Sequence, residues 1–195
     1  EMGKLKSEAD AEISKCALLC NYYAKNAADF LAERTIETEY SKSYVTYQPL
    51  GSILGVMPWN FPYWQSFRFA IPALLSGNTI LLKPAPNVPE SGMVLEEIFT
   101  KAIGISGVFQ TLLAEVEDIP KIINHPAVGG VSLTGSNRAG SAVAAQAGAA
   151  IKKCLLELGG SDPFIVLEDA NIKAAIELGF SSRMLNCGQT CIAAK

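Results

Sequence analysis

The 195-residue sequence predicts an α/β protein built on an open, mostly parallel sheet. Three observations carry this. Short apolar runs recur along the chain, segments of helical periodicity separate them, and Gly or Pro punctuates most junctions. Strands that alternate with helices of this length imply βαβ units, since parallel neighbours need a crossover.

The elements follow in order. From Ser7 to about Glu33, apolar residues such as Ala11, Leu18, Leu19 and Tyr22 recur near helical spacing with charges between them, giving one amphipathic helix. Tyr44 to Tyr47 reads as a short strand, and Gly51 to Met57 as a buried strand that stops at Pro58. A helix follows Asn60-Phe61-Pro62 and runs to Leu75, closed by Ser76-Gly77. Thr79 to Lys83 is a strand, Pro89 to Ile103 a helix with Pro at its start, and Val108 to Ala114 a strand. Next come a short helix at Asp118 to Asn124, a strand at Val128 to Leu133 and an Ala-rich helix at Ser136 to Ala149. A strand at Lys153 to Leu158, another at Phe164 to Leu167 and a helix from Ile172 to about Leu185 complete the pattern. Ligands bind beyond the carboxyl ends of strands in such sheets, so the loops at Pro58, Lys83, Thr134 and Glu157 are expected to line one crevice.

Composition narrows the function. Sixteen basic and nineteen acidic side chains give a formal charge of −3 with no basic block, which argues against nucleic acid as a partner. No apolar stretch approaches the roughly 18 residues of a spanning helix, so no membrane segment is expected. Five cysteines, an odd number without a secretory leader, point to reduced thiols and a cytoplasmic location. Cys16/Cys20 and Cys187/Cys191 share a C-x3-C spacing, but the single histidine, His125, adjoins neither, and no metal is expected. The first residue is Glu1, so the sequence is expected to begin inside a longer chain.

Several residues could carry chemistry. The run Thr134-Gly135-Ser136-Asn137-Arg138-Ala139-Gly140 follows an apolar strand and opens a helix. Ser136 can simply cap that helix, and the same N-terminus suits a pyrophosphate. Asn60 is a helix cap in one reading and an amide donor to a developing oxyanion in another. Lys83, ahead of Pro84, is either a solvated lysine or a ribose ligand. Glu157 sits among Leu155, Leu156 and Leu158; buried there, its carboxylate would be costly to ionise and fit to act as a base. Cys191 lies in a loop of small residues after a helix, where a thiolate could be exposed and held by backbone donors.

Taken together, Pro58-Trp59-Asn60-Phe61-Pro62, Leu82-Lys83-Pro84-Ala85, Leu133-Thr134-Gly135-Ser136, Glu157-Leu158-Gly159-Gly160 and Gly188-Gln189-Thr190-Cys191 resemble, in order and spacing, the aldehyde dehydrogenase superfamily along nearly the whole chain. Within it, residues 144–154 and 160–167 look most like bacterial succinate-semialdehyde dehydrogenases.

The resemblance implies that residues 1–158 comprise the N-terminal helix and a variant Rossmann-like cofactor domain, and that residues 159–195 open a truncated α/β catalytic domain. It implies that Cys191 attacks the aldehyde, Asn60 and the Cys191 backbone N–H hold the oxyanion, and Glu157 activates the hydrolytic water. The cofactor is NAD or NADP with a lean to NADP, Pro86 standing where NAD users often place an acid and NADP users a small polar residue; it would be held by Met57, Pro58, Trp59, Lys83, Ala85, Pro86, Gly135, Ser136, Leu158 and Gly159. Arg68, six residues after Pro62, is the expected partner of a distal substrate carboxylate. Leu185 stands where many such enzymes have a second arginine, and Arg183 would point elsewhere. A homodimer or homotetramer of the parent protein is expected. A truncated nucleotide-binding or subunit-interaction module is the alternative, as is a dehydrogenase for another aldehyde. A CoA-acylating enzyme is disfavoured because such enzymes usually lack the Glu157 equivalent. Cys187 could form a reversible disulfide with Cys191.

Overall fold

The computed structural model describes all 195 residues. Helix α1 (Lys6–Phe30) leads into a two-stranded antiparallel ribbon, β1 (Arg34–Thr35) with β2 (Tyr44–Val45). Then follow β3 (Ser52–Val56), α2 (Pro62–Leu75), β4 (Thr79–Lys83), α3 (Pro89–Ile103), β5 (Phe109–Thr111), α4 (Ile119–Asn124), β6 (Val128–Thr134), α5 (Asn137–Ala149), β7 (Lys153–Glu157) and α6 (Ile172–Met184). Strands β3 to β7 form one parallel sheet in the order β5-β4-β3-β6-β7. The chain leaves β3 outward through β4 to β5, then returns to the other side of β3 for β6 and β7. The switch point therefore lies beside β3, where a crevice opens at the carboxyl ends.

Helices cover both faces of this sheet. Leu54, Val131 and Leu133 pack with Ile123 of α4 and Val143 and Ala147 of α5 on one face. Ile80 and Leu82 pack with Phe69 and Ala70 of α2 and Leu95 and Phe99 of α3 on the other, where the Phe99 and Phe109 rings stack 4.4 Å apart. Each fully buried aliphatic side chain here contributes about 1.5–3 kcal/mol. α2 approaches β3 so closely that a Cβ on Gly55 would lie 2.1 Å from the Phe69 ring.

Most predicted elements form within a residue or two of their expected ends. β4 and α3 match at both ends, the latter because Pro89 starts it and Gly104, at φ +73°, stops it in the left-handed region. Two expectations fail. The strand predicted at Val108 to Ala114 shortens to the three residues that reach β4. Phe164 to Leu167 forms no strand: Ile165 and Leu167 are exposed, and the segment has only a single bridge nearby, Asp162 with Ala194. An extended segment without a partner has no ladder to join. The ribbon strand at Arg34–Thr35 carried too little apolar pattern to be foreseen.

Candidate active site

Three strands deliver their loops to the switch point. β3 ends in Pro58-Trp59-Asn60, β6 in Thr134-Gly135-Ser136, and β7 in Glu157 followed by Leu158-Gly159. These loops and the segment Gly188 to Cys191 line a cavity of about 360 Å³. A second cavity, of about 380 Å³, is lined by α1, the first turns of α2 and the segment Leu185 to Ile192. Gln65, Thr190 and Cys191 line both. Cys191 thus stands where two cavities meet, one formed by strand ends and one containing Arg68.

The segment before Cys191 has an uncommon backbone. Asn186 (φ +55°), Cys187 (φ +56°) and Gly188 (φ +75°) form three consecutive left-handed residues. For the two non-glycine residues this costs about 1–2 kcal/mol each, so the surroundings must hold the turn. They do so through Asn186, which is fully buried. Its backbone N–H donates to Glu8 Oε1 at 2.5 Å, and its Nδ2 donates to the Asn60 carbonyl at 2.9 Å and the Gln189 carbonyl at 3.3 Å.

Asn60 completes this lattice. Its Nδ2 donates to the Gln189 carbonyl at 2.9 Å, while its Oδ1 accepts from the Phe61 N–H at 3.1 Å. The helix-cap reading of Asn60 is thereby corrected: the first free N–H groups of α2, on Tyr63 and Trp64, donate instead to Glu12 Oε1 at 2.9 and 2.8 Å. Glu12 is buried and paired with Lys4, whose side chain is 8% exposed. Neither Glu8 nor Glu12 was picked out from the sequence. The available signal was their i, i+4 spacing on one face of α1, which places two carboxylates toward whatever that helix covers.

Glu157 differs from expectation. Within these 195 residues β7 is an edge strand, and the Glu157 side chain is half exposed rather than enclosed by its leucine neighbours. Leu155 beside it is exposed too. Its Oε2 lies 3.3 Å from Arg68 Nη2. The sequence-predicted substrate arginine and the predicted base therefore meet as an ion pair, and Arg68 lines the second cavity together with Leu185.

Lys83 departs in the opposite direction. A solvated lysine is excluded, because the residue is only 5% exposed, and burial holds its pKa below the ordinary 10.5 while the Glu115 carboxylate opposes that shift. Its Nζ donates to the Pro84 carbonyl at 3.0 Å, its one hydrogen bond within the chain. A third, smaller cavity of about 140 Å³ holds Lys83 with Pro84, Ala85, Pro86 and Glu115. A desolvated ammonium with two unused donors fits a group rich in acceptor oxygens, as a ribose or phosphate is. At Ser136, both sequence readings meet: its Oγ accepts from the Ala139 N–H at 3.2 Å as a cap, and the residue also lines the first cavity. Met57 is buried beneath the crevice, its N–H donating to the Lys83 carbonyl at 3.1 Å, so it supports the floor and its side chain lines none of these cavities.

No helix is long and apolar enough to cross a membrane. The aldehyde dehydrogenase family model matches residues 1–195. The chain is 51% identical over 195 residues to a probable NADP(+)-linked succinate-semialdehyde dehydrogenase of Synechocystis, covering all of this chain and 43% of that protein. It is 46% identical to an NAD(P)+-linked succinate semialdehyde dehydrogenase of Escherichia coli, covering 42% of it. Among solved structures, succinic semialdehyde dehydrogenase of Streptococcus pyogenes in complex with NADP+ superposes with a TM-score of 0.94 at 40% identity, over 98% of this chain and 42% of that one. The chain thus spans less than half the length of the relatives it matches. With the parallel sheet, the crevice at its switch point and the Cys191 loop lining that crevice, the chain belongs to the aldehyde dehydrogenase family.

Proposed function

We propose that the protein to which this chain belongs oxidises succinate semialdehyde to succinate, with NADP as the preferred oxidant. The observation that carries the reading is the position of Cys191 at the wall shared by two cavities, one able to take a dinucleotide's reactive end and the other an aldehyde. The printed activities of the Synechocystis and Escherichia coli relatives support the substrate and cofactor. In this reading residues 1–158 bind the cofactor and residues 159–195 open the catalytic domain. The working protein is a cytoplasmic homodimer or homotetramer.

In the mechanism, Cys191 Sγ adds to the aldehyde carbon, and the carbonyl electron pair moves to oxygen. The second N–H of Asn60 Nδ2, together with the Cys191 backbone N–H, stabilises that oxyanion; one such donor is worth roughly 10²–10³ in kcat. The chemistry a bound nicotinamide supplies is hydride acceptance, which converts the thiohemiacetal to a thioester. Glu157 then removes a proton from water, the resulting hydroxide attacks the thioester carbon, and Cys191 departs as thiolate. Arg68 orients the distal carboxylate of the substrate, and doing so releases Glu157 from their ion pair. Lys83, with Ala85 and Pro86 beside it, holds the adenosine ribose or its 2′-phosphate. Gly135, Ser136, Leu158 and Gly159, with Met57, Pro58 and Trp59, shape the groove. The test is turnover by the full-length protein with succinate semialdehyde and butanal, each with NAD and NADP. Preference for succinate semialdehyde with NADP is expected, and Cys191→Ala is expected to abolish it; turnover retained in Cys191→Ala overturns the mechanism.

A further inference from the structure

We propose that Lys15 of α1 is a specificity-determining residue, a second cation for the distal carboxylate of the substrate, working opposite Arg68. The inference rests on the reading of the site as an aldehyde-oxidising centre. It begins with the charges that line the cavity holding Arg68 and Cys191. Glu8 is engaged by the Asn186 N–H. Glu12 is engaged by Lys4 and by two N–H groups of α2. Arg68 is shared with Glu157 at 3.3 Å.

Lys15 remains. It is exposed, belongs to none of the chain's ion pairs, and lines the same cavity. Its Nζ is held 4.0 Å from the centroid of the Trp64 ring, so its position is fixed by an aromatic face without its charge being neutralised. Trp64 and Arg68 are one turn apart on α2 and both line this cavity, as Lys15 does. Leu185 and Ile192 give the same cavity apolar wall suited to methylenes. A short aldehyde with its carbonyl at Cys191 therefore meets both cations with its far end. Arg68 offers a planar fork and Lys15 a point charge. Because Arg68 must first leave Glu157, a carboxylate gains from a cation that has no competing partner. This supplies the positive charge that Leu185 does not.

The test is steady-state kinetics of the full-length protein and its Lys15→Met and Lys15→Arg variants with succinate semialdehyde and with butanal. Methionine keeps the stem over Trp64 and removes only the charge. Lys15→Met is expected to raise KM for succinate semialdehyde about tenfold, with KM rather than kcat carrying the change, and to lower the preference for it over butanal by a similar factor. Lys15→Arg is expected to restore most of that preference. An unchanged preference in Lys15→Met overturns the proposal. So does an equal loss on both aldehydes in both variants, which assigns Lys15 to α1–α2 packing. If the unsubstituted protein oxidises neither aldehyde, the functional reading fails and the Lys15 assignment falls with it.

Discussion

Glu12 serves two elements at once, because one carboxylate both caps α2 and neutralises Lys4. In Glu12→Gln an amide oxygen can still accept from Tyr63 and Trp64, so the capping loss is the difference between charged and neutral acceptors, about 1 kcal/mol. The larger cost falls on Lys4, whose side chain is 8% exposed and would be left without a counter-ion. Removing one partner of a buried pair costs about 3–5 kcal/mol, for a combined loss of roughly 4–6 kcal/mol. With a urea dependence of about 2 kcal/mol per molar, the unfolding midpoint should fall by about 2–3 M. Tryptophan fluorescence is the assay of choice, since both tryptophans, Trp59 and Trp64, flank the N-terminus of α2. The discriminating measurement is the double variant Lys4→Met/Glu12→Gln, which removes both charges and should recover more than half of the loss. A double variant as unstable as Glu12→Gln alone would refute the argument, because the damage would then lie in the cap or in packing.

Three further outcomes follow from burial. Lys83→Met should stabilise the unliganded protein near neutral pH while weakening NADP about tenfold or more, read by urea midpoint and cofactor titration. The sign comes from linkage: with the folded pKa below the unfolded value, the unfolded chain binds more protons, so this group's penalty is full at low pH and fades as pH rises through the folded value toward the unfolded one. Cys16, 3% exposed and pushed up to about 12 chiefly by burial and then by Glu12, should resist alkylation at pH 8, whereas exposed Cys187 and Cys191 react, as peptide mapping would show. Gly55→Ala should cost about 1–3 kcal/mol in thermal unfolding, because its methyl would collide with the Phe69 ring that closes α2 onto β3.

The parts of the fold that were readable in the sequence are those with local causes. Apolar runs, a proline in the first turn of α3 and a glycine at its end sit within the segments they define, which is why β4 and α3 match to the residue. Of the four loops expected to share one crevice, those at Pro58 and Thr134 do so, with Gly159 and Cys191, whereas Lys83 lies in a separate cavity and Glu157 lines neither. What escaped depended on distance along the chain. No pattern within Leu155 to Leu158 tells that β7 ends this sheet within the 195 residues, where the Glu157 side chain is half exposed rather than buried. Lys83 looks like any lysine at a strand end until β5 and the loop after it enclose it. Glu8, Glu12 and Asn186 escaped for the same reason, as the Glu12–Tyr63, Asn186–Asn60 and Glu8–Asn186 hydrogen bonds span 51, 126 and 178 positions.

The bond between Glu8 and Asn186 also orders events in time. At synthesis rates of roughly 5–20 residues per second, α1 leaves the ribosome roughly 10–40 s before the turn it must hold. Until then the left-handed residues around Cys187 have nothing to offset their strain, and the Asn60 amide has no loop carbonyl to face. The thiol's surroundings are therefore the last part of this segment to be assembled. A nascent or partly unfolded chain therefore carries Cys191 on an unrestrained loop, and the order around its thiol arises only once the two ends of this segment have met.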